Sequence, residues 1–214
     1  MYNIILFDLD GTLTDPKVGI TRCVQYALEK MGIIEDDIEK LVHFIGPPLM
    51  LTFKESYHLT EEQAWQALGY YRERFSTVGL YENAVFPGIP ELLAGLKEQG
   101  KTLYVATSKP TVYSERILEH FGLHGYFQAI IGSNLDGTRV EKYEVIDYLL
   151  SQLGDHDRSK VLMVGDRKHD IIGARRHGVA VAAVAYGYGT LEELDQAKPD
   201  YIVHTVKELT ELLR

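Results

Sequence analysis

A single cysteine, Cys23, stands among the 214 residues. This excludes an intramolecular disulfide and any multi-cysteine metal site, and it suits a reducing compartment. Cys23 itself reads as a small buried hydrophobe. Long apolar runs are also missing: the longest, Val179 to Tyr186, falls far short of the ~18 residues of a membrane helix. The opening MYNIILFDLDG carries no basic leader, so the expectation is a cytoplasmic protein without a membrane partner. Basic charge is scarce, with 22 Lys and Arg against 31 Asp and Glu for a net charge of −9. That balance argues against a nucleic-acid backbone as the main partner, and an anionic substrate would need local positive charge. Repeats and low-complexity segments are absent. What remains is an ordinary folding composition, 45% hydrophobic and 25% charged, at a length that fits one large domain or a core carrying an insertion.

Short apolar runs recur at Ile4 to Phe7, Leu103 to Ala106, Ala129 to Ile131, Val161 to Val164, Val181 to Ala185 and Tyr201 to Val203, and they read as buried strands. From Phe86 onward they alternate with helical patterns that each end before a glycine: 90–99, 112–121, 145–153 and 171–177. Strand alternating with helix predicts an α/β fold, a Rossmann-like parallel sheet covered on both faces. Thr190 with Glu193 and Thr205 with Glu208 have capping-box spacing, which starts two further helices. Between Asp15 and about Tyr81 the periodicity is helical throughout. Asp15 and Pro16 mark a helix entry, followed by the stripe Ile20, Val24, Ala27, Leu28 and Met31. Thr60 with Gln63 caps another helix, with the stripe Ala64, Leu68, Tyr71 and Phe75. The expected organisation is therefore a core of residues 1–14 and 82–214, with an all-helical cap inserted at 15–81.

In an open parallel sheet, ligands bind beyond the carboxyl ends of the strands. There the sequence places Asp8-Leu9-Asp10-Gly11-Thr12, then Thr107-Ser108-Lys109, then Gly165-Asp166-Arg167 with Asp170 one helical turn on. Asp8 and Asp10 leave a strand on the same side, so their charges repel unless a cation or a shared proton relieves them. Asp166 and Asp170 add two more carboxylates. Hard oxygen ligands without a thiolate or histidine set point to Mg²⁺. Cation, hydroxyl and lysine together describe a phosphoryl site. Gly11 permits a sharp turn whose N–H groups could face phosphate oxygens as an anion nest. Each piece has a plainer reading as well: Asp-Leu-Asp-Gly as a turn, Thr107 as a strand-end hydroxyl, Asp166 and Asp170 as acidic decoration of a helix start.

With those residues in view, FDLDGTLTD at 7–15, VATSKP at 105–110, Lys142 within DGTRVEKYEVI, and VGDRKHDIIGA at 164–174 resemble the four motifs of the haloacid dehalogenase-like superfamily, in the family's order. They resemble in particular its phosphoglycolate-phosphatase-like members, whose helical cap lies between the first two motifs. The resemblance implies a Mg²⁺-dependent phosphomonoesterase with the following roles. Asp8 would be the nucleophile that forms an aspartyl-phosphate. Asp10 would protonate the leaving oxygen and later activate water. Thr107 and Lys142 would hold the phosphoryl oxygens, with Gly11 and Ser108 beside them. The metal would be bound by Asp8, the Asp10 backbone carbonyl and Asp166, with Asp170 farther out or acting through water.

Two positions depart from the family pattern. Lys142 is followed by Tyr143 rather than proline, which leaves Lys109 as a rival phosphate contact. Arg167 replaces a residue that is usually small, and it fits either a leaving-group contact or a salt bridge. Substrate choice is expected in the cap, at His43-Phe44-Ile45-Gly46-Pro47-Pro48-Leu49. Ile45, Gly46 and Leu49 are the candidate substrate contacts there, with Arg22 and the cap tyrosines in reserve; a plain interhelical turn accounts for the same segment. The expected substrate is a small phosphorylated metabolite such as phosphoglycolate, a nucleoside monophosphate or a sugar phosphate, acted on by a monomer or homodimer. A phosphotransferase or mutase of the same superfamily, or a non-catalytic module that accepts phosphate on Asp8, stand as alternatives.

Overall fold

A computed structural model describes residues 2–154 and 156–214. The chain divides into two compact units, one of Met1–Asp15 with Val85–Arg214 and the other of Pro16–Ala84.

The first unit is built on a six-stranded sheet. Its strands are β1 (Ile4–Phe7), β4 (Thr102–Pro110), β5 (Ala129–Ser133), β6 (Val161–Gly165), β7 (Ala180–Val184) and β8 (Tyr201–Val203), in the order β5-β4-β1-β6-β7-β8. Every pairing is parallel, with Ile4 opposite both Thr102 and Val161. The expected strands are all present. Between and after them come α4 (Ile89–Glu98), α5 (Thr111–His120), α6 (Lys142–Gln152), α7 (Lys168–Arg176), α8 (Leu191–Ala197) and α9 (Val206–Leu213). The Thr190 and Thr205 hydroxyls accept from the N–H groups of Glu193 and Glu208 and so cap α8 and α9. Leu6, Ala106, Val145, Ile146, Leu149, Met163 and Ile171 pack in one fully buried cluster, the apolar face that joins α6 and α7 to the sheet. β1 lies centrally, and the chain later adds β4 on one side of it and β6 on the other. The carboxyl end of β1 is thus a topological switch point, where loops diverge and leave a crevice.

β2 (Thr14–Asp15) and β3 (Ala84–Val85) form a separate two-stranded ladder. The second unit contains α1 (Lys17–Lys30), a 3₁₀ segment at Ile38–Phe44, α2 (Leu49–Tyr57), α3 (Glu61–Arg74) and a π turn at Phe75–Gly79. It is the all-helical cap. The Thr60 and Gln63 side chains form the expected reciprocal box. The stripe Ala64, Leu68, Tyr71 and Phe75 is buried, as are Ile20, Val24, Ala27 and Leu28, whereas Met31 at the end of its stripe is half-buried. Cys23 is fully buried, and a β-carbon on Gly79 would lie 2.3 Å from its sulfur. A small residue is needed there because α1 and the π turn approach so closely. Asp15 does not cap α1. Pro16 holds the N-cap position without a side-chain bond, and the Asp15 carboxylate accepts a hydrogen bond from the Tyr188 hydroxyl. Among the described residues no helix is long and apolar enough to cross a membrane.

Candidate active site

Asp8 follows the last residue of β1, and its position is set by backbone pairing: the Asp8 N–H donates to the Val164 carbonyl at 2.8 Å. Asp166 follows β6 directly. Asp170 lies in the first turn of α7, where its Oδ2 accepts from the Arg167 N–H at 3.0 Å as a reciprocal cap. These three carboxylates each offer an oxygen within 4.8 Å of the others, and all three are buried. Such crowding of like charge is tolerable only with a cation, a proton or both.

One cation is already in place. Lys142, the first residue of α6, points its ammonium at Asp8 Oδ1 (2.8 Å), Asp170 Oδ1 (2.7 Å) and the Ala106 carbonyl (2.9 Å). It is 5% exposed. Burial alone would lower its pKa, but the Asp170 and Asp8 carboxylates outweigh burial and raise it, so Lys142 stays charged across the physiological range. One ammonium does not neutralise three carboxylates. Burial, followed by repulsion from Asp170 and Asp8, drives the Asp166 pKa well above its usual 3.8. Asp170 is pushed to about 6, with burial prevailing over Lys142. Asp166 Oδ2 accepts from the Tyr188 N–H at 2.7 Å, while its Oδ1 is buried without a hydrogen-bond partner. An orphaned, buried carboxylate oxygen beside two other carboxylates fits a hard divalent cation, which takes oxygen donors only.

Asp10 contributes no carboxylate to this group. Its Oδ2 lies 2.7 Å from the Lys109 ammonium, and both side chains are nearly inaccessible. Any share of Asp10 in holding a cation therefore falls to its backbone carbonyl, as the resemblance implies. Burial raises its proton affinity, opposed by Lys109. Its Oδ1 is buried and has no hydrogen-bond partner. The Lys109 ammonium is thus engaged with Asp10. Thr107 is buried at the end of the same run, its hydroxyl oxygen 3.3 Å from the Lys109 N–H.

The expectations at Gly11 and Ile45 change in detail. The anion nest at Gly11 does not form from its own N–H, which donates to the Thr14 carbonyl at 2.8 Å, and the Thr12 N–H turns to the Leu9 carbonyl. Gly11 instead serves close approach: its φ is +80°, and a β-carbon there would lie 2.1 Å from Asp166 Oδ2. Ser108, half-buried, turns its carbonyl to the Ser133 hydroxyl. Arg167 makes an ion pair with Glu193 at 2.9 Å. In the cap, Ile45 is completely buried, so its side chain offers no surface to a solute, whereas Gly46 and Leu49 are half-buried. Arg22 pairs with Glu82, which also pairs with Arg74.

Sequence reasoning missed the segment Tyr186-Gly187-Tyr188-Gly189. It follows β7, and its backbone lies against Asp166: a β-carbon on Gly187 would be 2.4 Å from Asp166 Cβ, and one on Gly189 2.0 Å from the Asp166 carbonyl oxygen. The signal was available, since alternating Tyr and Gly directly after an apolar strand marks a loop whose backbone approaches something closely. The Asp10–Lys109 pair was likewise missed, because Lys109 read as a phosphate ligand.

The comparisons agree with this geometry. Residues 5–184 match the family model described as haloacid dehalogenase-like hydrolase. A 5'-nucleotidase of Pseudomonas aeruginosa is 52% identical over 99% of this chain and 96% of its own. The tyrosine-protein kinase PtkA of Mycobacterium tuberculosis is 38% identical over 98% of this chain and 72% of its own. A solved structure described as a predicted phosphatase from Clostridium acetobutylicum superposes with a TM-score of 0.96 at 47% identity, covering 100% of this chain and 98% of that one. With its parallel sheet, inserted helical cap and buried aspartate cluster, the chain belongs to the haloacid dehalogenase-like hydrolase family.

Proposed function

We propose that the protein is a Mg²⁺-dependent phosphomonoesterase that hydrolyses small phosphorylated metabolites through an aspartyl-phosphate on Asp8. The observation that carries this reading is the convergence of Asp8, Asp166, Asp170 and Lys142 at the carboxyl end of β1. Among phosphoglycolate, nucleoside monophosphates and sugar phosphates, the nucleoside 5'-monophosphates come first, supported by the name of the Pseudomonas relative. The enzyme acts in the cytoplasm as a monomer or homodimer, with the sheet unit performing chemistry and the helical unit selecting substrate.

Asp8, Asp166, Asp170 and the Asp10 carbonyl would hold Mg²⁺, which when bound would supply positive charge against the phosphate dianion. The remaining work belongs to side chains. A carboxylate oxygen of Asp8 attacks phosphorus, splitting one displacement into two. Asp10, whose proton affinity burial has raised, delivers a proton to the leaving oxygen and then takes one from the attacking water. Lys142 and the Thr107 hydroxyl hold the phosphoryl oxygens while charge redistributes. Because Lys142 already contacts Asp8, it can follow the phosphoryl group onto that residue without moving far.

Hydrolysis of para-nitrophenyl phosphate and of a metabolite panel, with and without Mg²⁺, tests this reading; full activity in EDTA refutes it. A phosphotransferase reading draws on the kinase name of the Mycobacterium relative. Release of inorganic phosphate in the presence of excess acceptor, with no phosphorylated acceptor formed, decides against it.

The raised carboxyl groups predict a pH signature. Between the usual 3.8 and about 6, native Asp170 keeps a proton that the unfolded chain has released, and Asp166, also raised by burial and by its carboxylate neighbours, acts in the same direction. Native binding of more protons makes stability fall as pH rises. Without metal, this contribution therefore declines from about pH 4 upward. A divalent cation competes with those protons, so the difference in melting temperature between Mg²⁺ and EDTA is expected to widen from pH 5 to pH 8. A difference that does not vary with pH contradicts the assignment.

Ile45 and Leu49 separate packing from selection. Ile45→Ala removes a buried side chain and is expected to cost about 2 to 5 kcal/mol of stability without reordering substrates. Leu49→Ala is expected to leave the melting temperature nearly intact and change discrimination among metabolites by about 10- to 200-fold, the range for an apolar contact. kcat/KM across the panel, measured alongside melting curves, checks both.

A further inference from the structure

We infer that Tyr188 is a positioning residue that braces Asp166, fixing which carboxylate oxygen is left for the cation. The inference rests on Asp166 being a cation ligand, as proposed above. A terminal carboxylate torsion is broad and confines itself poorly, so an outside contact must choose the orientation. Here it is one backbone bond: the Tyr188 N–H donates to Asp166 Oδ2 at 2.7 Å and leaves Oδ1 buried and unpartnered.

That N–H is only as well placed as the segment carrying it, and two tyrosine hydroxyls tie the segment down. Tyr188 donates its hydroxyl to the Asp15 carboxylate, and Tyr186 donates its hydroxyl to the Thr12 carbonyl at 3.0 Å. Both acceptors belong to the chain just beyond Asp8 and Asp10, so the loop that carries the nucleophile also anchors the brace on Asp166. Gly187 and Gly189 allow the segment to lie against Asp166, since a β-carbon at either would fall within 2.4 Å of Asp166 atoms. The role is positioning because the Tyr188 hydroxyl bonds to Asp15 and not to the carboxylate cluster. Partners lying behind metal ligands typically set metal affinity by about 10- to 100-fold.

The test measures the Mg²⁺ concentration giving half of the full rise in melting temperature and, separately, half-maximal phosphatase activity, in wild type, Tyr188→Phe, Asp15→Ala, Asp15→Asn and Asp166→Asn. Melting in EDTA reports folding of each variant. Tyr188→Phe and Asp15→Ala are each expected to raise both midpoints by about tenfold, with kcat at saturating Mg²⁺ within about twofold of wild type. The double variant should be no worse than either single one, because both remove the same bond. Asp15→Asn keeps an acceptor oxygen and should stay near wild type. An unchanged Mg²⁺ midpoint in Tyr188→Phe, or a lowered kcat that saturating Mg²⁺ does not restore, overturns the inference while leaving the cation site standing. If Asp166→Asn answers Mg²⁺ as wild type does, the cation reading of Asp166 fails, and the inference fails with it.

Discussion

Asp8→Asn is expected to leave a folded protein whose phosphatase activity has fallen by at least about 10⁴-fold, the scale on which loss of a nucleophile is felt when the rest of the site survives. The amide is nearly isosteric. Its oxygen can still accept from the Leu9 N–H and face the Lys142 ammonium, both at 2.8 Å from Asp8 Oδ1 in the native protein. What disappears is the anionic oxygen able to bond to phosphorus. Stability should move differently from activity. The Asp8 charge raises the proton affinity of both Asp166 and Asp170, so removing it relieves repulsion in the metal-free protein. Lys142 loses one counterion but keeps Asp170 at 2.7 Å. The melting temperature in EDTA is therefore expected to be no more than about 3 °C below wild type, roughly 1 kcal/mol for a chain of this size, and it can exceed it. Incubation with substrate followed by intact-mass measurement should show no phosphoryl adduct on the variant. Residual turnover within about tenfold of wild type in a folded Asp8→Asn protein would remove Asp8 from the nucleophile's role.

The contrast between strands and loops explains how much of this could be read in advance. Ile4 to Phe7, Val161 to Val164 and the other apolar runs were legible because a sheet covered on both faces demands continuous hydrophobic strands, and composition alone records that demand. The Thr60–Gln63 box was legible because capping is local, confined to four residues. Asp8 and Asp166 could be singled out by type and place, and Lys142 only through the family resemblance, but none of them by distance, since 134 positions separate Asp8 from Lys142 in the sequence and only the parallel register brings β1, β4 and β6 to one edge. The Asp10–Lys109 pair was invisible for the same reason: two oppositely charged residues on neighbouring strand ends pair only if their rotamers allow it. The N–H of Gly11 was misread because a turn residue's donor can close its own loop instead of facing a ligand. Ile45 was misread because an apolar residue beside Gly46 and two prolines serves a turn's own packing as readily as a substrate. The tyrosine and glycine segment at 186–189 carried a signal that depended on knowing what lay opposite, and that was Asp166.

Asp10→Asn should separate proton delivery from nucleophilic attack. In the native protein Asp10 Oδ2 sits 2.7 Å from the Lys109 ammonium, and the asparagine oxygen can take the same place, so the loop should keep its course. Asp8, Asp166 and Asp170 retain their carboxylates, and Mg²⁺ should still raise the melting temperature. What the amide cannot do is hand over a proton. General acid catalysis is worth about 10²- to 10⁴-fold where the leaving oxygen needs it, as the alkoxide of an alkyl phosphate or a nucleoside does. A nitrophenolate departs readily without help. The expected result is a loss of about 10²-fold or more in kcat for nucleoside 5'-monophosphates, and a much smaller loss in aspartyl-phosphate formation from para-nitrophenyl phosphate. On the proposed mechanism, breakdown of that intermediate also uses Asp10, now as the base that takes a proton from water. The nitrophenyl reaction should therefore show a burst of nitrophenolate followed by slow turnover, as formation outruns hydrolysis. Stopped-flow absorbance measures both phases, and the burst amplitude should approach one equivalent per active site. Equal losses for alkyl and nitrophenyl esters, with no burst, would take the acid role away from Asp10 and leave its pairing with Lys109 as its whole contribution.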